Sequence, residues 1–234
     1  MALLDDAIEA SGGLARWNKL KRFTLHLSIG GTLLSRTGQI GQFKDLIAEG
    51  SIWTQSVRFT GITGGKMSGT FQPDAVTIES LDGEVLRTWR NPTSAFSSYS
   101  NVQPGDELHL VFLCGFAIWN YLTTPFLLAR SDVEVEELPP RAGNAEPWRR
   151  LRARFPPDIV THCPEQIFYF DDKALQRRTD HDFLATRIAH YSWAHQAFCG
   201  IVVPTLRRSM VLGADGALVP RPVLDVEIFD AMFE

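Results

Sequence analysis

Apolar and polar residues alternate along much of this chain. The clearest case is Arg22–Ile29, where Phe23, Leu25, Leu27 and Ile29 fall on one side and Thr24, His26 and Ser28 on the other. A period of two is that of a strand with one buried face. The same reading predicts strands at Phe43–Glu49, Trp53–Thr60, Met67–Gln72, Ala75–Ser80 and Glu84–Arg90. A second series is predicted at Trp148–Phe155, Gln166–Phe170, Ala174–Thr179, Ala185–Trp193, Thr205–Leu212 and Val223–Phe229. Pro73-Asp74 and Asp82-Gly83 separate strands of the first series, and Asp-Gly is a strong hairpin signal.

Two segments break this period. Leu3–Leu20 carries Leu4, Ile8, Leu14 and Trp17 at roughly helical spacing, interrupted at Gly12-Gly13. The other, Leu108–Tyr121, is apolar on almost every face and follows Pro104-Gly105-Asp106, where Asp106 is placed to cap a helix. A helix apolar all round has to be buried on all sides. Asn91–Gln103 and Arg141–Pro147 are polar and are read as a surface loop and an exposed connector.

Short turns favour antiparallel neighbours, because parallel strands need long crossovers. The expected fold is mainly β with helices (α+β): an antiparallel open or half β-barrel of about ten to twelve strands. The N-terminal helix and the central apolar helix lid or plug its concave face. Residues 1–234 are expected to form a single domain, with 141–147 as its exposed connector.

Composition narrows the function. The net charge of −4 argues against a nucleic-acid partner, which selects a basic surface. Met1–Glu9 has neither a basic segment nor a long apolar one, so a cytoplasmic location is expected, or a periplasmic one if a signal has been removed. The apolar run around Leu108–Ile118 is shorter than the ~18 residues of a spanning helix, so no transmembrane segment is expected. Cys114, Cys163 and Cys199 lack metal-like spacing and are read as free thiols.

The Gly12-Gly13 helix, the central apolar helix and the C-terminal ladder together resemble the bacterial lipoprotein carriers of the LolA and LolB type. The most similar segment is Phe168–Asp180, which runs Phe-Tyr-Phe-Asp-Asp-Lys-Ala-Leu-Gln-Arg-Arg-Thr-Asp. The resemblance covers nearly the whole chain in element order. It implies an open half-barrel whose helices lid an apolar cavity that accepts acyl chains. The chain departs from the carriers in showing no secretion signal and no lipobox cysteine. The resemblance also implies that catalysis is open to this fold, which hosts a cofactor-free enzyme of pigment biosynthesis.

Candidate chemistry lies mostly in the second strand series. His162, His190 and His195 are candidate acids or bases, because imidazole titrates near neutral pH. The competing reading is turn, surface or backbone-bonded core histidines. Arg177-Arg178 and Arg207-Arg208 form adjacent pairs, so alternation sends one arginine of each toward the concavity. Arg178 and Arg207 are candidates for an anionic head group, against the plainer reading of salt bridges to Asp225 or Glu227. Phe112, Phe116 and Trp119 share a helix face and, with Tyr121, read either as a greasy cavity wall or as ordinary core. No metal and no cofactor is expected, since neither His-Glu-x-x-His nor Cys-x-x-Cys occurs. Gly-x-Ser-x-Gly is absent, and Gly61–Lys66 lacks the spacing of a phosphate loop.

The sequence therefore points to binding of a hydrophobic or amphipathic small molecule or lipid, acyl or isoprenoid-like. The rival reading is a cofactor-free cyclase or isomerase acting on an apolar intermediate, with His190, His162 and His195 as candidate catalytic groups. A third is an interaction module with a filled core. The oligomeric state is not legible.

Overall fold

The computed structural model describes residues 2–36, 38, 41–93, 106–139, 148–183 and 185–234. Its strands are β1 (Arg22–Gly30), β2 (Leu46–Ser51), β3 (Val57–Gly61), β4 (Met67–Gln72), β5 (Ala75–Ser80) and β6 (Val85–Arg90). After the central helix come β7 (Glu134–Leu138), β8 (Arg149–Arg154), β9 (Glu165–Phe170) and β10 (Gln176–Phe183). The last three are β11 (Thr186–Phe198), β12 (Ile201–Leu212) and β13 (Leu218–Phe233). All thirteen join in one sheet of order β6-β5-β4-β3-β2-β1-β13-β12-β11-β10-β9-β8-β7. Each meander follows chain order, and the antiparallel pair β1–β13 joins the two, from Phe23 opposite Phe233 to Gly30 opposite Asp225. The sheet is open, with β6 and β7 at its edges.

Alternation sets the buried face. Phe23, Leu25, Leu27 and Ile29 of β1 are buried, as expected. They look onto the central helix, Glu107–Thr123, in which only Glu107, His109 and Tyr121 escape burial. That helix packs most closely on β4, then on β3 and β5. Two glycines permit the approach. A Cβ on Gly115 of the helix would overlap the Cβ of Phe71, and one on Gly69 of β4 would overlap Val111. Phe71, Phe112 and Phe116 meet edge-on there at 5.4–6.4 Å between centroids. At the other helix end, Trp17 stacks on Phe126 at 4.2 Å. No helix among the described residues is long and apolar enough to cross a membrane.

Several expectations are corrected. The first hairpin is shifted: β2 ends at Ser51 and β3 starts at Val57. The Ser51 hydroxyl accepts from the Trp53 and Thr54 amides, which turns the chain where a strand was expected to begin. The second series begins one strand early, at β7. That strand is polar on both faces, and Glu136 and Glu137 pair with Arg152 and Arg149 of β8. Asp106 does not cap the central helix through its side chain; its carboxylate engages His109 and Arg87. The connector 141–147 and most of the loop 91–103 lie outside the described residues.

Candidate functional site

The concave face of β10–β12 is polar where it meets the central helix. Thr179 and His181 of β10, His190 and Ser192 of β11, and Thr205, Arg207 and Ser209 of β12 are all buried. Register brings them together: Thr179 lies opposite His190, His190 opposite Ser209, and Ser192 opposite Arg207. Tyr121, in the last turn of the central helix, comes down onto this row. Its ring lies 4.2 Å from that of His190, and the Arg207 guanidinium sits over it at 4.9 Å.

Arg207 organises the row. It is 2% exposed. Its Nη1 donates to the Ser192 hydroxyl at 3.1 Å and reaches His190 Nε2 at 3.5 Å, and its Nη2 donates to the Tyr121 carbonyl at 2.9 Å. Its Nε has no hydrogen-bond partner among the described residues. Because an Arg207 N–H points at His190 Nε2, the network assigns the His190 proton to Nδ1, which donates to Ser209 Oγ at 2.7 Å. Ser209 lies beside Tyr121, whose hydroxyl lies 3.5 Å from His162 Nε2. The His162 ring packs on His181 at 4.3 Å and on Phe116 at 4.9 Å. One connected row thus runs from Arg207 through His190, Ser209 and Tyr121 to His162.

Burial sets the protonation states. It holds His190 well below the ordinary imidazole range, helped by the charge of Arg207 and by the other histidines. It holds His162 well below that range too, with His181 adding to the effect. His181 falls to about 4, by burial against a smaller upward pull from Asp180. Burial also lowers Arg207 to about 10, where it stays cationic at neutral pH, and raises the Tyr121 phenol. The row is thus three neutral imidazoles and one phenol beside one buried cation.

Two small voids lie beside this row. One void, bounded by Asn120, Tyr121, His162, Gln176, Thr179 and His181 among others, is about 10 Å³. A second, between Tyr121, Arg207 and the apolar residues Leu25, Ile118, Val203 and Ile228, is also about 10 Å³. Each has room for roughly one water. A larger opening of about 330 Å³ lies outside, along Phe155–Pro164 and Thr93. Phe155 and His162 line both it and the inner void. The 156–164 wall is tied down at Val160, whose backbone bonds Gln55 and Asn120 at 2.8–2.9 Å.

The structure thus joins Phe116, Tyr121, His162, His190 and Arg207. It does not join Arg178, which lies opposite Tyr191 on the convex face and pairs there with Asp180 at 2.9 Å. The strands of Arg178 and Arg207 are not neighbours, since β11 runs between them. His195 is half-buried, bonds the Gln176 carbonyl at 3.0 Å and falls to about 4 through burial and two arginines, outside the row. Phe112 packs toward Phe71 and Trp89, and Trp119 donates to the Ser51 carbonyl at 2.8 Å, both away from Arg207. Sequence reasoning missed Ser209, Asn120 and Gln176. Alternation reveals Ser209 once Arg207 is set inward, whereas Gln176 is turned in by a β-bulge before Arg178 that no residue type announces.

No family model and no curated protein sequence matches the chain. Solved structures do. A LolA superfamily protein from Nitrosomonas europaea is similar over 100% of this chain and 92% of its own, with 10% identity and a TM-score of 0.53. A DUF1329 family protein from Desulfovibrio piger is similar over the same shares at 11% identity, with a TM-score of 0.46. The Mycobacterium tuberculosis lipoprotein LppX matches 78% of this chain and 88% of its own, at 12% identity and a TM-score of 0.26. The chain has the LolA/LolB-like fold, an open antiparallel half-barrel with helices against its concave face.

Proposed function

We propose that the protein binds a hydrophobic or amphipathic small molecule, which enters at the Phe155–Pro164 groove and reaches under the end of the central helix. The groove itself carries this reading. At about 330 Å³ it falls in the range of small-molecule sites, roughly 300–1,000 Å³. Its walls are mostly apolar, from Phe155, Pro156, Pro157, Ile159 and Val160, with Thr93, Thr161, His162 and Cys163 as its polar side chains. Because Phe155 and His162 also bound the inner void, a ligand filling the groove lies against the polar row. The two voids beside Tyr121 are each about 10 Å³, so binding there requires the Tyr121 end of the helix to move.

The test is native mass spectrometry of protein purified from cells without detergent, together with titration by a panel of neutral and charged acyl compounds. A copurified apolar molecule, or micromolar binding of one panel member, is expected. An empty protein that binds none of them would sink the reading.

A second reading, proton-transfer catalysis without a cofactor, is favoured by one observation: the Tyr121 hydroxyl stands behind His162 at the groove floor. His162 would take a proton from one carbon of the ligand and return it to another. Extraction of wild-type and His162→Ala protein separates the two readings. The same molecule from both means binding, whereas an isomer accumulating only on the variant means turnover.

A further inference from the structure

We propose that Arg207 anchors the anionic head group, a carboxylate or phosphate, of an amphipathic ligand whose apolar part lies between the central helix and β12–β13. This rests on the binding reading above and adds the chemistry of the head group. The argument begins with charge. A guanidinium 2% exposed calls for a counter-charge, because a buried ion without one keeps its desolvation cost uncompensated. Three other arginines of the ladder have theirs: Arg177 pairs with Asp171 at 2.8 Å, Arg178 with Asp180, and Arg208 with Asp225 at 3.4 Å. Among the described residues no carboxylate pairs with Arg207. Its acceptors are a hydroxyl, a carbonyl and a neutral imidazole, and the Tyr121 ring adds only a cation–π contact.

The donor geometry fits the missing group. Nε–H is buried and unpaired among the described residues, and a planar guanidinium presents Nε with one Nη as the edge that grips carboxylate or phosphate bidentately. The surroundings fit the rest of the molecule. Leu25, Ile118, Val203, Val226 and Ile228 wall the void next to Arg207. An isolated anion there would have one charge partner and apolar neighbours, while an amphiphile satisfies both. The void holds about one water as it stands. Seating a chain therefore breaks the Arg207–Tyr121 carbonyl bond and exchanges a neutral acceptor for a charged one.

Calorimetric titration with decanoate, decyl phosphate, decanol and inorganic phosphate tests this. The wild type is expected to bind decanoate and decyl phosphate at least tenfold more tightly than decanol, with inorganic phosphate far weaker. In Arg207→Met the preference should vanish while decanol affinity is kept. Arg207→Lys should keep part of it, as a charge without the fork. Equal binding of decanol and decanoate by the wild type would overturn the anchor and leave apolar binding standing. Inorganic phosphate binding as tightly as decyl phosphate would make this a free-anion site and overturn the amphiphile. Failure of every decyl compound to bind would remove the broader reading and the anchor with it. The wild-type comparisons decide even if Arg207→Met does not fold.

Discussion

At the scale of single residues, the row beneath the helix links stability to pH. His181 and His190 are buried and neutral in the folded chain, His181 at about 4 and His190 well below the usual range. Unfolded, each returns to an ordinary value near 6.5. Between those values the unfolded chain binds protons that the folded chain refuses, so stability rises with pH and is lost on acidification. The slope is about 1.4 kcal/mol per pH unit for each such histidine. Melting temperature should therefore fall steeply from pH 6.5 to 4.5. His181→Leu should shallow that fall, since His181 Nδ1 has no partner to lose among the described residues. A melting temperature flat across this window, measured by calorimetry, would contradict the neutral burial of these groups. The sequence set which side chains share a face here, but not which face turns inward. Alternation alone sets Thr205, Arg207 and Ser209 on one face of β12 and Leu206 and Arg208 on the other. What it could not show is whether an inward arginine meets a carboxylate. Arg178 turns to the convex face and pairs with Asp180, two residues along its own strand, whereas Arg207 turns inward and pairs with no carboxylate among the described residues.

At the scale of elements, the central helix was the most legible part of the chain and its rotation the least. Apolar residues on every side announce burial but leave no polar face to orient the helix. Its rotation is fixed instead by Gly115, which meets Phe71, and by Gly69, which meets Val111. Gly115→Ala makes a sharp test. By helix propensity alone alanine should stabilise by about 1 kcal/mol. Here its Cβ would strike the Cβ of Phe71, which cannot swing aside, and overpacking of this kind costs about 1–3 kcal/mol. We expect a net loss of stability in denaturant titration, and a gain would mean that the helix does not sit this close to β4. The missed strand β7 has the opposite cause. Glu134–Leu138 is held by backbone pairing and by Glu136 and Glu137 reaching Arg152 and Arg149, so no apolar stripe marks it.

At the scale of the whole molecule, the two meanders could be read from their short turns, but the seam between them could not. β1 and β13 pair across nearly the full length of the chain, and no local signal specifies a partner so remote. The seam places the two halves of the sheet on either side of the central helix, and the helix meets them differently. Against β3–β5 it makes close apolar contact through glycines and phenylalanine rings. Against β11–β12 it is bridged by Arg207, His190 and the Tyr121 ring, with a water-sized void beside the guanidinium. A packed apolar seam resists parting because every separated contact opens a cavity, whereas a polar bridge can exchange one partner for another. Ligand entry should therefore open the β11–β12 side and leave the β3–β5 side shut. Hydrogen exchange followed by mass spectrometry, with and without saturating decanoate, reads this directly. Amides of residues 119–129 and of β10–β12 should change protection, while those of β3, β4 and β5 should hold within error. Equal changes on both sides would mean that the helix leaves the sheet as a whole, and that the glycine contacts do not make the N-terminal half its fixed seat.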